Sequence, residues 1–249
     1  MFKPVFVVLS GTIKEDVYNN FIEDQRWKYF TKGLAATIEI TLFAAVIGVL
    51  IGVIVAGVRS TYDKNREALA YHKGIGYYIL GFFNAICKVY IAVIRGTPVV
   101  VQLMIMYFVI MVSTTNGVLV AIISFGINSG AYVAEIMRAG IMSVDNGQFE
   151  AGRSLGFNYL RTMMYIVIPQ AFKNVLPTLL NEFIALLKET SVAGYVGIMD
   201  LTRAGNIVRG VTFSAFVPLI AVAAVYLVIV LILTWLVGKV ERRLRRSER

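Results

Sequence analysis

The chain is poor in the residues that most enzymes and metal sites are built from. Its 249 residues include one cysteine, Cys87, and one histidine, His72. A disulfide within the chain is impossible, and a Cys/His metal cluster is excluded. The two lie in unrelated segments, so a membrane enzyme lacks a reactive constellation to build on. Charged residues are only 16% of the total, well below the share of about 25% in soluble domains. Near the start, only Pro4–Leu9 is apolar after Lys3. That is too short for the core of a signal peptide, so the first spanning helix is expected to direct insertion itself.

What the chain does have is apolar surface. Hydrophobic residues make up 58%, and the mean hydropathy is +0.73. The excess is gathered into long runs, the pattern of a membrane protein. The net charge of +9 fits basic residues on one side of a bilayer, meeting anionic headgroups. No basic segment is backed by a soluble fold, so no nucleic-acid partner is expected.

A spanning helix needs about 20 apolar residues. Gly33–Val58 qualifies, with Glu39 near its outer end, and Ser214–Gly238 qualifies with no charge at all. Gly117–Gly140 is polar only late, at Glu135 and Arg138, which could pair on one face. Tyr165–Thr190 is broken by Pro169 and Pro177 and carries Glu182 and Lys188. The remaining apolar stretch, Gly74–Ser113, holds Lys88, Arg95 and Pro98. As one helix it would be about 60 Å long, twice the bilayer core. Arg95-Gly96-Thr97-Pro98 is the expected break. One span preceded by an interfacial helix, or two short spans, both satisfy the pattern.

Charge decides the count. With five spans and an outer N-terminus, the cytoplasmic segments are Arg59–Lys73, Arg138–Lys173 and the tail from Lys239. They hold fourteen Lys and Arg, against seven in Met1–Lys32 and Thr190–Phe213. Six spans would move Arg59–Lys73 outside and lower this bias, so five are expected. The basic tail 239–249 reads as a cytoplasmic anchor. Val17–Lys32, mixing aromatics and charges, is expected to lie flat on the outer leaflet. Ala44, Gly48, Gly52 and Ala56 put small residues on one face of the first span, for close packing within the subunit.

Between the third and fourth of these runs, at about residues 143–165, stands a segment with its own punctuation. Asp145 and Asn146 are good N-caps, Glu150 follows within a turn, Gly156 permits a turn, and Asn158 can cap the next stretch. A short helix held outside the membrane by two spans can dock on a soluble partner and carry its motion inward. The segment reads Glu150-Ala151-Gly152-Arg-Ser-Leu155-Gly156, then nine residues to Ile166-Val-Ile-Pro169. This resembles the loop signature of ABC importer permeases, E-A-A-x3-G-x9-I-x-L-P. Gly152 and Ile168 depart from it, and the glycine weakens the helix by about 1 kcal/mol.

Three more stretches resemble the polar amino-acid branch of that family: Arg95-Gly-Thr-Pro-Val-Val-Val-Gln102-Leu, Ala131-Tyr-Val-Ala-Glu-Ile-Met-Arg-Ala-Gly140, and Asn181-Glu-Phe-Ile with Leu187-Lys-Glu-Thr-Ser-Val192. The likeness runs from Gly33 to Arg246, with an apparent insertion near Tyr62–Leu80. It implies an all-α type I permease domain over residues 33–238 and a pore of two permease subunits, alike or related. It also implies two cytoplasmic ATPase subunits that bind ATP and Mg, and an extracytoplasmic solute-binding protein that delivers an amino acid. The chain has no Gly-x4-Gly-Lys-Ser/Thr loop, so no cofactor is expected on it. Glu150, Ala151, Gly152, Leu155, Gly156 and Pro169 would form the ATPase-coupling loop.

Transporter sites lie near mid-bilayer on interrupted helices, and intramembrane charges are functional candidates. Asn181 and Glu182 stand about 18–20 Å up the helix from Pro169. Glu182 could meet an ammonium or guanidinium group, and Asn181 a carboxylate. Lys188 and Glu189 could belong to an outer gate. Thr97 and Gln102, beside the break, complete the expected path. An ion-coupled secondary transporter or channel is the rival, but it would want inverted repeats or an acidic relay, and neither is evident.

Overall fold

A computed structural model of the chain describes residues 13–71 and 74–246. Every regular element among them is helical. Helix α1 (Ile13–Val17) leads through short π and 3-10 turns into α2 (Trp27–Tyr71). Then come α3 (Ile75–Gly96), α4 (Val99–Ile105), α5 (Gly117–Met142), α6 (Asn146–Ser154) and α7 (Tyr159–Thr162). Helix α8 (Ile168–Glu189), a 3-10 turn at Thr190–Val196, α9 (Leu201–Thr212) and α10 (Phe216–Arg246) complete the order. By length and composition, four helices can cross a membrane: Trp27–Lys64, Ile75–Gly96, Gly117–Met142 and Phe216–Leu244. Val99–Ile110 is a shorter apolar helix.

The centre of the bundle is α5, whose most apolar stretch is two-thirds buried. Its main neighbour is α2. Ile47 lies against Gly126, Ile51 against Gly130, Gly48 against Ser129 and Gly52 against Val133. Residue numbers rise together, so the two helices are parallel. In lipid, small residues bring backbones close enough for dispersion contacts, because hydrophobicity gives no drive between helices. The Ala44–Ala56 stripe is thus used within the subunit, as its spacing predicts. Replacing Gly52 with Leu will overpack the Val133 side chain and cost about 1–3 kcal/mol. Gly57→Leu, at a position with nothing within 4 Å, will not. The unfolding midpoints of the two purified variants check the contrast.

The crossing between α2 and α5 is made by α3 and α4 together. Gly81 lies beside Tyr62, Tyr90 Oη donates to the Ile127 carbonyl at 2.6 Å, and Tyr107 reaches Gly117. The broken helix therefore climbs from the Tyr62 end of the bundle to the Gly117 end. This is the one-span option, with α3 entering the bundle rather than lying wholly beside it. Helix α8 runs antiparallel to α5: Val175 packs on Gly140, and Ser129 meets Glu182. Helices α2, α3–α4, α5, α8 and α10 thus form five passes, as in a type I permease domain.

Three boundaries differ from the sequence expectation. The first span starts at Trp27, before Gly33, because Trp27–Lys32 continues the helical register into the apolar run. That helix continues to Tyr71, so the apparent insertion extends α2 beyond the apolar segment, and only residues 72–73 between α2 and Gly74 lie outside the described residues. Val17–Lys32 is not one flat helix. Up to Gln25 it folds into short turns and from Trp27 it belongs to α2; the turns are tied back to the bundle, with Thr212 Oγ1 donating to Asn20 Oδ1 at 2.9 Å and Phe21 packed on Phe30. Pro4–Leu9 lies outside the described residues.

Candidate functional site

Two regions gather the polar groups that the apolar bundle leaves over. The first is the α6–α7 knob. Asp145 caps α6, accepting from the Gly147 amide at 2.6 Å. The helix ends in a Schellman turn. The Phe157 amide donates to the Gly152 carbonyl at 3.0 Å, and that of Gly156 to Arg153 at 2.9 Å. Gly156 takes φ +80° to close it, a left-handed conformation that glycine adopts without a side-chain penalty. Asn158 then caps α7, accepting from the Arg161 amide at 2.9 Å. Pro169 lies just after the π turn at Met163–Val167, which joins α7 to α8 with helical backbone angles throughout.

The departure at position 152 has a packing reason. Gly152 is buried, and a Cβ there would meet Thr162 Cγ2 at 2.7 Å. Glycine lets α6 lie directly on α7 and the following π turn. Glu150 and Ala151 lie on the exposed side of α6. Leu155 is 73% exposed and Leu160 65%, while Gly156 has nothing near its absent side chain. The Leu155–Gly156 turn is therefore an open, apolar and glycine-punctuated edge of the knob. The α2 extension supports it from the side. Lys64 Nζ donates to Asn146 Oδ1 at 2.6 Å and stands 4.4 Å from the Phe149 ring centre.

The second region is α8. At 100° per residue, Asn174, Thr178, Asn181, Glu182, Lys188 and Glu189 fall within an arc of about 120°. All six are half-buried or exposed, whereas Val175, Ile184, Leu186 and Leu187 lie outside that arc and are buried. A mid-bundle polar face left open on a single chain must meet water, ligand or another subunit. Glu182 accepts from Ser129 Oγ of α5 at 3.2 Å. Asn181 donates to the Pro177 carbonyl at 3.1 Å. Lys188 and Glu189 end the helix two turns above, next to the 3-10 turn.

Thr97 and Gln102 are engaged at the helix break. Gln102 Nε2 donates to the carbonyls of Ile94 and Thr97 and to Thr97 Oγ1, at 2.7, 3.1 and 2.8 Å. Its Oε1 accepts from Asn128 Nδ2 at 2.9 Å. The pair therefore satisfies the carbonyls freed at the Pro98 break and ties α4 to α5. None of these hydrogen bonds reaches α8.

The ion pairs also differ from expectation. Glu135 pairs with Arg95, not with Arg138; Arg138 reaches Asp63 on α2 at 3.2 Å. Arg95 is drawn toward α5 by Glu135 and by Tyr132, whose ring lies 5.1 Å from the guanidinium. Between the third and fourth passes these groups border a cavity of about 500 Å3. Local spacing could not reveal these partners, because each pair joins residues far apart in the chain. The outer segment Thr190–Phe213 likewise holds a helix that the charge count alone does not show. Asp200 caps α9, accepting from the Thr202 and Arg203 amides at 2.9 and 3.0 Å. Leu201, Ala204, Gly205 and Val208 then bury one face at helical spacing, a signal that was present in the sequence.

Comparison with known proteins decides the family. The pattern of the binding-protein-dependent transport system inner membrane component matches residues 72–246. The chain belongs to that family. Among curated permeases it is 35% identical over 224 residues to the arginine transport system permease protein ArtQ of Bacillus subtilis (strain 168). The match covers 88% of this chain and 94% of that one. It is 38% identical over 166 residues to the glutamine transport system permease protein GlnP of Escherichia coli (strain K12), covering 65% and 76%. Among solved structures, a chain of an amino acid ABC transporter with histidines superposes with TM-score 0.76 at 38% identity, covering 90% of this permease and 98% of that chain. The MetNI methionine ABC transporter in an inward-facing conformation superposes at TM-score 0.72 with 16% identity, and shares the fold. The permease is therefore a member of the amino-acid ABC branch, with the all-α type I fold.

Proposed function

We propose that this permease forms the translocation path of an ATP-driven amino-acid importer in a bacterial plasma membrane. Two permease subunits, identical or related, enclose the path. Cytoplasmic ATPase subunits, which bind ATP and Mg, dock on the α6–α7 knob. An extracytoplasmic binding protein delivers the amino acid at the opposite end, beside α9 and the 3-10 turn. The N-terminus faces outward and the C-terminus the cytoplasm. Basic residues concentrate at the knob end and along the tail, and Lys239 stands 3.5 Å from the Trp235 ring centre, an interfacial pairing.

The observation that carries the reading is the open polar face of α8. It lies inside an apolar bundle, in line with the knob at one end of the same helix. Movement of α6 and α7 is passed through Pro169 to the face where Glu182 and Asn181 meet substrate. The partner ATPase supplies the chemistry, while this chain binds, orients and moves.

The test is reconstitution of the permease with its ATPase and binding protein in liposomes. Uptake of labelled arginine or glutamine will require internal ATP and external binding protein together. Uptake driven by an ion gradient without ATP would replace this reading with that of a secondary transporter.

A further inference from the structure

The apolar part of α2 ends near Val58, yet the helix continues unbroken to Tyr71. Two successive side chains on this extension, Asp63 and Lys64, grip two different elements. Neighbours on a helix point about 100° apart, so the pair can serve both. Asp63 accepts from Arg138 Nη1 of α5 at 3.2 Å. Glu135, one turn away from Arg138 on the same helix, is held by Arg95 instead. Lys64 Nζ donates to Asn146 Oδ1, in the first turn of α6, at 2.6 Å. It also lies 4.4 Å from the Phe149 ring centre, within cation–π range, and the Asp145 carboxylate attracts it as well. Only Ser143, Val144 and Asp145 link α5 to α6. Val144 is buried in one cluster with Met163 and Val167, and Phe149 packs against that cluster.

We propose that Lys64 is a positioning residue for coupling: with the Asp63–Arg138 pair holding α2 to α5, it fixes the knob to the first pass, so that α2, α5 and α6 move as one body. The proposal rests on the coupling reading above. A three-residue link can act as a hinge, because a few residues between helices absorb large torsional changes. Left to itself, α6 would pivot there when the ATPase moves, and part of the stroke would be lost before it reached the bundle. The α2 extension grips both flanks of the link, Arg138 on one side and Asn146 with Phe149 on the other. The link then has little to absorb. The Lys64 ammonium is met by an amide oxygen, a ring face and a carboxylate together, so its charge stays compensated in the contact.

The test uses the whole transporter, reconstituted with ATPase and binding protein. Lys64→Met keeps an apolar stem over Phe149 but removes the charge and the hydrogen bond. It is expected to lower the amount of amino acid carried per ATP hydrolysed by about threefold, with the ATPase still bound and the unfolding midpoint held. Lys64→Arg, which can still donate to Asn146 and cover the ring, is expected to keep the native ratio. A contact that only held the fold would shift the unfolding midpoint and leave the ratio alone. A second arm replaces the contact with a covalent one. Lys64→Cys with Asn146→Cys is bridged by a short bis-methanethiosulfonate, Cys87 being buried. Bridging is expected to restore the ratio that the unbridged pair loses. A native ratio in Lys64→Met overturns the brace. So does a bridge that stops uptake until reductant is added, because the knob would then have to part from α2 in each cycle. Where Lys64→Met does not fold, the bridged pair decides alone. ATP-dependent uptake by the unmodified transporter is measured in parallel. Its absence removes the coupling reading, whereas coupled uptake with either overturning result removes the brace only.

Discussion

Gly156→Asp will leave the permease folded and reduce substrate-stimulated ATP hydrolysis by the assembled transporter at least tenfold. Three features of the knob lead to this expectation. The residue closes the Schellman turn at φ +80°, where a side chain costs about 1–2 kcal/mol and Asp is among the better tolerated residues. Nothing in the chain lies within 4 Å of a Cβ at this position, so the carboxylate meets no internal obstacle. It stands on the exposed turn beside Leu155, open to whatever docks there. An unpaired charge buried in such a contact costs about 3–5 kcal/mol, more than enough for a tenfold loss. Gly156→Asn separates the causes, since Asn also accepts the left-handed turn but adds no charge. Hydrolysis retained in Asn and lost in Asp places the surface in the docking contact. Unchanged substrate-stimulated hydrolysis in Asp, with the ATPase still attached, removes this loop from the coupling path.

The knob was legible in the sequence because its geometry is local. A capping Asp, a Gly eleven residues on and a second capping Asn dictate helix, turn and helix without reference to the rest of the chain. The break at Pro98 was legible for the same reason. What local pattern could not supply is pairing across the bundle. Glu135 and Arg138 stand three apart, the spacing of a helical pair, yet each finds a better partner on another helix, Arg95 and Asp63. Gln102 shows the same limit from the other side. A polar residue in an apolar run is a fair candidate for ligand contact, but here the freed carbonyls at Ile94 and Thr97 claim its amide first. The long reach of α2 was hidden because its charged extension reads as a loop by composition. Within that extension Lys64 is tied to Asn146 of α6.

Glu182→Gln will lower amino-acid uptake by about ten- to a hundredfold while the ATPase remains bound. The carboxylate sits on the open polar face of α8, held by one hydrogen bond from Ser129 Oγ, with no ion pair among the described residues. A charged group with a single neutral partner retains capacity for a cationic ligand. A hydrogen bond to a charged group contributes about 1.5–3 kcal/mol, and its loss corresponds to about one to two powers of ten in occupancy. Glutamine keeps the size and can still accept from Ser129, so the helix packing of Ile184, Leu186 and Leu187 should be undisturbed. The unfolding midpoint checks that point. Two measurements separate path from scaffold. Binding-protein-stimulated ATP hydrolysis should fall along with uptake if Glu182 receives substrate during the cycle. Asn181→Ala, one position along the same face, should weaken uptake less, because its amide already donates to the Pro177 carbonyl and has only partial capacity to spare. Normal uptake kinetics in Glu182→Gln would take this carboxylate out of the path. The α8 face would then need another occupant, and the neighbouring permease subunit is the one to test.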